Sequence, residues 1–268
     1  MQPNLRAVHG KHHPIRKQLT QLLAGRASSQ YLTLGAQVTR TVASAASAPL
    51  SLYSADSALL TAFAADHPSA SCWLLAPNIW QSCFAELSYP PDLVAAFARP
   101  AIAELPATSY SELATRVLIL EDLQDPGNFG NICRSAVLLG WPTILLIGHV
   151  ADPYKPKVLQ ASSGAVAQLT FYRLPSGALA ELAQHRQLVG AALNPEAQSL
   201  QAFLAGRTHH GRATAPLALA LGNEGNGLSA ELLEHCQHLI QIEQASNTGS
   251  LDSLNVSSAA AIMLYLLR

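Results

Sequence analysis

The sequence predicts an α/β protein in two parts, a small N-terminal α/β region and a larger C-terminal region built on a parallel sheet. Three observations lead there. Strand-sized apolar runs alternate with helix-like segments along most of the chain. From Arg116 onward those runs are nearly continuous in apolar residues, as expected of strands covered by helices on both faces. Between the two parts, residues 99–115 lose periodicity, and Arg99-Pro100, Leu105-Pro106 and Thr108-Ser109-Tyr110-Ser111 read as a linker. The expected organisation is therefore a first domain over 1–100, a linker over 101–115 and a second domain over 116–268.

In the first part, Ile15, Leu19, Leu22 and Leu23 fall at helical spacing over residues 14–25, with Gly25 suited to a C-cap. Ala/Ser-rich helical stretches then alternate with short apolar runs at Leu50 to Tyr53, Cys72 to Ala76 and Leu93 to Phe97. In the second part, strands are expected at 117–121, 143–148, 168–173, 187–193, 216–222 and 238–243, and a last helix from about Ser253 to Leu267.

Composition bounds the chemistry. With 268 residues, 49% of them hydrophobic, the chain can bury sizeable cores. Its longest apolar runs, such as Val117 to Leu120 and Ile144 to Ile147, fall far short of the roughly 20 residues of a membrane helix. No membrane span is expected, and the basic N-terminus lacks the apolar core of a secretory signal, so a cytoplasmic location is expected. Cys72, Cys83, Cys133 and Cys236 form no CxxC pair and read as reduced thiols. Neither His9, His12 and His13 nor His235-Cys236-Gln237-His238 has a second ligand pair at zinc spacing, so no metal is expected. A net charge of −1 argues against a nucleic-acid partner, but its distribution argues for one. Met1 to Ala55 carries six basic residues, Arg6, Lys11, Arg16, Lys17, Arg26 and Arg40, and no carboxylate. A basic arm along phosphates and an ordinary solvated helix face both fit that pattern.

In open α/β sheets ligands collect beyond the carboxyl ends of strands, and three post-strand loops carry chemistry. The first runs from Glu121 through Asp125-Pro126-Gly127-Asn128 to Arg134, a strand end, a Pro-Gly turn and a helix with Asn128 at its mouth. The second, Gly222-Asn223-Glu224-Gly225-Asn226-Gly227, has three glycines that let backbone amides approach a ligand. Its spacing is GxxGxG with no following lysine, which meets neither the dinucleotide fingerprint nor the P-loop and argues against a nicotinamide oxidoreductase. The third, residues 247–261, opens a small apolar helix with polar groups at Ser253, Asn255 and Ser257, more than an N-cap requires.

Together, in this order and each after a strand, these loops resemble the SpoU family of RNA ribose 2′-O-methyltransferases, within the SPOUT class. The family's first motif is matched by Asn128 and Arg134, its second by Gly222 to Gly227, and its third by Ser253-Leu254-Asn255-Val256-Ser257. Ala161-Ser162-Ser163-Gly164-Ala165 also looks like the segment the family places between the first two, and the likeness covers residues 116–268. The front third resembles, more loosely, the ribosomal-protein-like RNA substrate-binding domain of many such enzymes, through His13-Pro14-Ile15-Arg16-Lys17 and Leu87 to Ala95. Two departures stand out. Leu34-Gly35 replaces the family's Glu-Gly pair, and Glu243 to Thr248 is longer and more polar than the family's link before the third motif.

The resemblance implies a trefoil knot in the C-terminal domain, a homodimer, and S-adenosylmethionine as methyl donor. Its adenine would be held largely by main-chain groups of Leu221, Gly222, Ile242 and Leu254, with Asn223, Gly227 and Leu251 completing the cofactor site. Family proposals make the arginine of the first motif, here Arg134, the base for the ribose proton. A guanidinium pKa above about 12 favours instead stabilising the developing alkoxide or clamping a phosphate. Asn128 and Glu224 would orient it, and Ser253 and Asn255 would shape the pocket and hold RNA. Arg16 and Lys17 join Arg134 as expected RNA contacts, with ribosomal RNA the favoured substrate and transfer RNA second. A catalytically silent RNA-binding relative is the alternative, and the intact motif residues speak against it.

Overall fold

The computed structural model describes residues 5–10, 12–24, 29–45, 47–208, 215–245 and 253–268. It divides into two compact units, residues 1–101 with 152–168, and residues 102–151 with 169–268. The first 101 residues carry β1 (Leu5–Val8), α1 (Pro14–Leu23), β2 (Gln30–Leu34), α2 (Ala36–Ala45), β3 (Ser51–Ser54), α3 (Ser57–Asp66), β4 (Ser71–Leu75), α4 (Pro77–Cys83) and β5 (Val94–Ala98). There follow β6 (Arg116–Glu121), α5 (Pro126–Leu138), β7 (Thr143–Ile147), α6 (Pro156–Ala161), β8 (Thr170–Arg173), α7 (Leu179–His185) and β9 (Gln187–Ala191). The chain closes with β10 (Gln198–Ser199), α8 (Leu200–Thr208), β11 (Leu217–Leu221), α9 (Ala230–His235), β12 (His238–Gln241) and α10 (Val256–Leu266).

The first unit holds a five-stranded sheet in the order β1-β4-β3-β5-β2, with β5 antiparallel to both its neighbours. Helix α1 starts where Pro14 takes the first turn and the His13 ring accepts the Ile15 amide at 3.2 Å. It buries Ile15, Leu19 and Leu22 against Leu32, Tyr53, Ile79 and Trp80, the face its spacing predicted. Ala24 is its C-cap, and Gly25 lies outside the described residues. The two edge strands, β1 and β2, were not foreseen from the apolar runs. Residues 152–168 pack in this unit: Arg99 meets Asp152 at 2.9 Å and lies over the Tyr154 ring, which rests 5.0 Å from Tyr31. Gly164, at φ +83, lies so close to α2 that a Cβ there would come within 3.0 Å of Thr41.

The second unit holds seven parallel strands in the order β10-β12-β9-β11-β6-β7-β8, and its central strands β6 and β11 are buried along almost their whole length. Because every strand runs the same way, the loops after β6, β7, β9, β11 and β12 leave by one edge, the edge where α/β sheets bind ligands. Helices α5 and α10 pack together, and the buried Trp141 indole after α5 donates to the Leu264 carbonyl at 3.1 Å. Two local expectations change. The last helix starts at Val256 rather than Ser253, because Asn255 is its N-cap and accepts the Ser257 amide at 2.8 Å. The two-residue strand β10 at one sheet edge is too short to leave a periodic signal.

Candidate active site

The loop after β6 begins with two residues that fasten other loops. Glu121 is buried, and its Oε2 accepts the Ser229 amide at 2.7 Å. Asp122 adopts φ +51, a conformation uncommon for a residue with a side chain. Its carbonyl accepts the Asn223 side-chain amide at 3.0 Å, and its Oδ1 accepts the His149 amide at 2.6 Å. Asp125 then caps α5 by accepting the Asn128 amide at 2.7 Å, which places Asn128 in the first helical turn.

Asn128 joins the three chemical loops. Its Nδ2 donates to Glu224 Oε1 at 2.7 Å, and its Oδ1 accepts from Asn255 Nδ2 at 3.1 Å. Asn255 Oδ1 in turn accepts from the Ser257 hydroxyl at 2.6 Å. The carboxylate can only accept, so it sets the direction of the Asn128 amide, and that amide sets the direction of Asn255. One carboxylate thus orients two side-chain amides on different loops.

The glycine loop after β11 closes on itself through Asn223 and Gly227, whose backbones exchange hydrogen bonds at 3.1 and 2.9 Å. Asn223 Oδ1 accepts the Gly225 and Asn226 amides at 2.8 and 3.2 Å. At Gly222 a Cβ would strike the Gly227 carbonyl and come within 2.6 Å of the Leu228 nitrogen, so glycine is required there by backbone contact. Below the loop, burial first and the Glu121 charge second push the Cys236 thiol up to about 11.

The glycine loop, the loop after β9 and the segments after β12 and before α10 surround a cavity of about 540 Å³, within the size range of small-molecule sites. Leu221, Ile240, Ile242, Leu254 and Met263 form apolar wall, and Asn194, Asn223, Glu224, Ser253 and Asn255 bring polar groups. Such a mixture suits a flat heteroaromatic base joined to a polar tail.

Comparison with known proteins decides the family. The sequence profile of the SpoU rRNA Methylase family matches residues 115–265. The chain belongs to that family. It is 32% identical over 203 residues to the 23S rRNA (uridine(2479)-2'-O)-methyltransferase of Streptomyces viridochromogenes, covering 71% of this chain and 64% of that one. It is 30% identical to the 23S rRNA (guanosine(2553)-2'-O)-methyltransferase RlmP of Bacillus subtilis, covering 74% and 72%. Several other curated relatives are matched over only about half of their length, as with a Synechocystis protein at 51%. In fold, the AdoMet-bound rRNA methyltransferase of Sinorhizobium meliloti superposes with a TM-score of 0.77 at 21% identity, covering 98% of this chain and 97% of that one.

Of the SpoU motif residues expected at the site, Leu221, Gly222, Asn223, Glu224, Gly227, Ile242, Ser253, Leu254 and Asn255 all line the cavity. Asn128 stands behind the wall and bonds two of its members. Arg134 is exposed farther along α5 and does not line the cavity. Six residues turn the helix by about 240°, so Arg134 shares a side with Leu138 rather than with Asn128. Leu251 lies outside the described residues. The stretch Ala161 to Ala165 belongs to the other unit and contributes nothing to the cavity. Among the described residues no group of His, Cys, Asp and Glu is arranged to hold a metal ion. Sequence reasoning missed Ala191-Ala192-Leu193-Asn194, the lining loop after β9, and the anchoring pair Glu121 and Asp122. The rule that ligands gather after parallel strands would have pointed to the β9 loop, but its residues are apolar except for a lone Asn194, which forms no motif.

Proposed function

We propose that this chain transfers a methyl group from S-adenosylmethionine to a ribose 2′-hydroxyl of RNA, with ribosomal RNA as substrate. The observation that carries the reading is the Glu224–Asn128–Asn255 network, which links all three SpoU motifs along the wall of one cavity. The methyl donor fits that cavity: Gly222 lets the loop fold back on Gly227 and Leu228 along its rim, and the apolar walls suit an adenine. When bound, S-adenosylmethionine supplies a methyl carbon already activated by its sulfonium. Main-chain groups of Leu221, Gly222, Ile242 and Leu254 would hold it, with Asn223 and Gly227 keeping the loop closed around it. The protein's remaining task is to align a ribose oxygen and manage its proton.

Asn128, oriented by Glu224, holds Asn255 where an incoming ribose would meet it, and Ser253 lies on the same wall. Arg134, exposed outside the wall, suits a clamp on the RNA phosphate or a partner for the developing alkoxide. The names of the Streptomyces and Bacillus relatives, both ribose methyltransferases of 23S rRNA, support ribosomal RNA over transfer RNA. A homodimer belongs to the reading as well. Leu138 on α5 and Ile262, Tyr265 and Leu266 on α10 expose large apolar side chains on two helices that pack together, a face suited to a second copy. The knotted SPOUT topology and a cytoplasmic location complete it. Among the described residues no helix is long and apolar enough to cross a membrane.

The deciding experiment maps 2′-O-methylation in ribosomal RNA from cells with and without the protein, then restores the gene as wild type or Arg134→Ala. One ribose methyl group lost on deletion and regained only with wild type supports the reading. An unchanged methylation map, or full recovery with Arg134→Ala, would reject the reaction or the arginine's role respectively. Calorimetry with S-adenosylmethionine separates an enzyme from a silent RNA-binding relative, since a silent relative need not bind the donor.

A further inference from the structure

The first unit presents an aromatic and cationic cluster that the methyl-transfer site does not use. Trp73, on β4, pairs in register with Arg6 on the edge strand β1, and the Arg6 guanidinium carbon lies 5.1 Å from the centre of the indole. The His13 ring approaches the same indole edge-on at 6.0 Å. Two different elements, the edge strand and the cap of α1, thus bring nitrogen donors to one ring. His13 Nδ1 accepts the Ile15 amide, so in the neutral ring Nε2 carries the hydrogen and is a donor. Lys17, one turn along α1, is exposed, as are Arg6 and His12.

Three other cation–ring pairs have evident structural duties, and a fourth, Arg268 over Tyr265, joins two exposed residues at the end of α10. Arg99, over Tyr154, is neutralised by Asp152 at 2.9 Å. Arg207, over Phe203 in the same helix, donates to Gln187 at 2.9 Å. Arg40 covers Phe63, which is itself buried. At Arg6, among the described residues, no carboxylate reaches ion-pair distance. Trp73 is half-buried, whereas Trp80 and Trp141 are deeply buried. An arginine held over an indole keeps its outer face for a further stacking partner and its N–H edge for an anion. The class of ligand that has both a flat ring and an adjacent anion is the nucleotide, and unpaired RNA bases are commonly bound by such stacking.

We propose that Arg6, His13 and Trp73 form a subsite for one unpaired nucleotide of the RNA substrate, the base stacking on the arginine–tryptophan pair and its phosphate meeting Arg6 and Lys17. The subsite rests on RNA being the substrate and adds that the first unit selects single-stranded over paired RNA. Double-stranded RNA offers no free base face, so it would gain only the phosphate contacts.

The test is a titration of the full chain with oligouridylate of about ten nucleotides, followed by tryptophan emission, beside the same strand annealed to oligoadenylate. The single strand is expected to quench emission and the duplex to quench it weakly. Trp73→Phe should remove the quenching, and Arg6→Ala should weaken single-strand binding about fivefold or more. Arg6 is exposed, so its variant tests the idea even if Trp73→Phe fails to fold. Quenching that persists in Trp73→Phe, or an unchanged Arg6→Ala affinity, would overturn the subsite. Methyl transfer to ribosomal RNA, run in parallel, keeps the two readings apart. Wild-type transfer with unaffected RNA binding in both variants rejects the subsite alone. Absent transfer with Trp73-dependent quenching rejects the reaction and leaves the subsite standing.

Discussion

The two units use their polar side chains in opposite ways. In the second, four side-chain hydrogen bonds, Asn128 to Glu224, Asn223 to Asp122, Ser229 to Glu121 and Asn255 to Asn128, join residues 96, 101, 108 and 127 positions apart. All four tie one strand-end loop to another. In the first, Asp56 caps its own helix, and Thr39, Thr41 and Thr61 bond the turn before them. Its longer-range bonds, such as Ala36 to Asp92 Oδ1 and Ser54 to the Asp92 carbonyl, fasten a helix start and a strand to one loop. Its cations Arg6, Lys17 and Arg40 remain exposed. A site that must align reacting atoms needs its loops held mutually, whereas a surface that follows a flexible phosphate chain needs unneutralised charge.

Substitutions can break that contrast or sharpen it. The largest effect is expected at Asn128. Asn128→Ala removes both bonds that relate Glu224 to Asn255, so methyl transfer should fall about a hundredfold with the fold retained, as read by transfer assays beside circular dichroism. Near-normal turnover would show that the loops hold without it. Gly222→Ala pushes a methyl group into the Gly227 carbonyl, and calorimetry should find donor affinity about ten- to a hundredfold weaker. Unchanged affinity would mean that the loop can shift at little cost.

Glu121→Ala leaves the Ser229 amide without its acceptor and should lower stability by about 1–3 kcal/mol in urea unfolding. Glu121→Gln, which keeps an oxygen acceptor, should recover part of that loss. In the first unit, neutralising Arg16 and Lys17 should leave the donor affinity alone and reduce the slope of log affinity against log salt by about one for each phosphate no longer neutralised. An unchanged slope would show that neither charge meets a phosphate.

The smallest effect is a pH dependence at Cys236. Its thiol is raised from the ordinary 9.0 to about 11, so the folded state holds the proton more tightly than the unfolded chain. That contribution is complete below pH 9 and is lost as pH rises towards 11. Cys236→Ala should flatten the alkaline decline in the urea midpoint, and an identical decline in the variant would place its cause elsewhere.

The parallel strands of the second unit were legible because burial on both faces writes a continuous apolar run, as in Val117 to Leu120 and Leu217 to Leu221. The edge strands were not: in β1 Arg6 and Ala7 are exposed, and in β2 the polar Gln30 and Thr33 break a run that is nevertheless buried. Within the site, Gly222, Glu224 and Asn255 could be singled out because glycine, carboxylate and amide in short ordered groups are chemically conspicuous. Asp122 could not, because its positive φ and its carbonyl bond belong to the backbone.

By itself the amino-acid order determined the class of fold, the three loops and the residue types available for chemistry, since each depends on neighbours within a few positions or on periodic burial. Only the folded chain decided that Asn128 reaches Glu224 and Asn255, that Arg134 stands outside the cavity wall, and that residues 152–168 pack with the first unit. Those are relations between segments far apart in sequence, set by how parallel strands are ordered and which loops that order makes adjacent, and no local pattern encodes them.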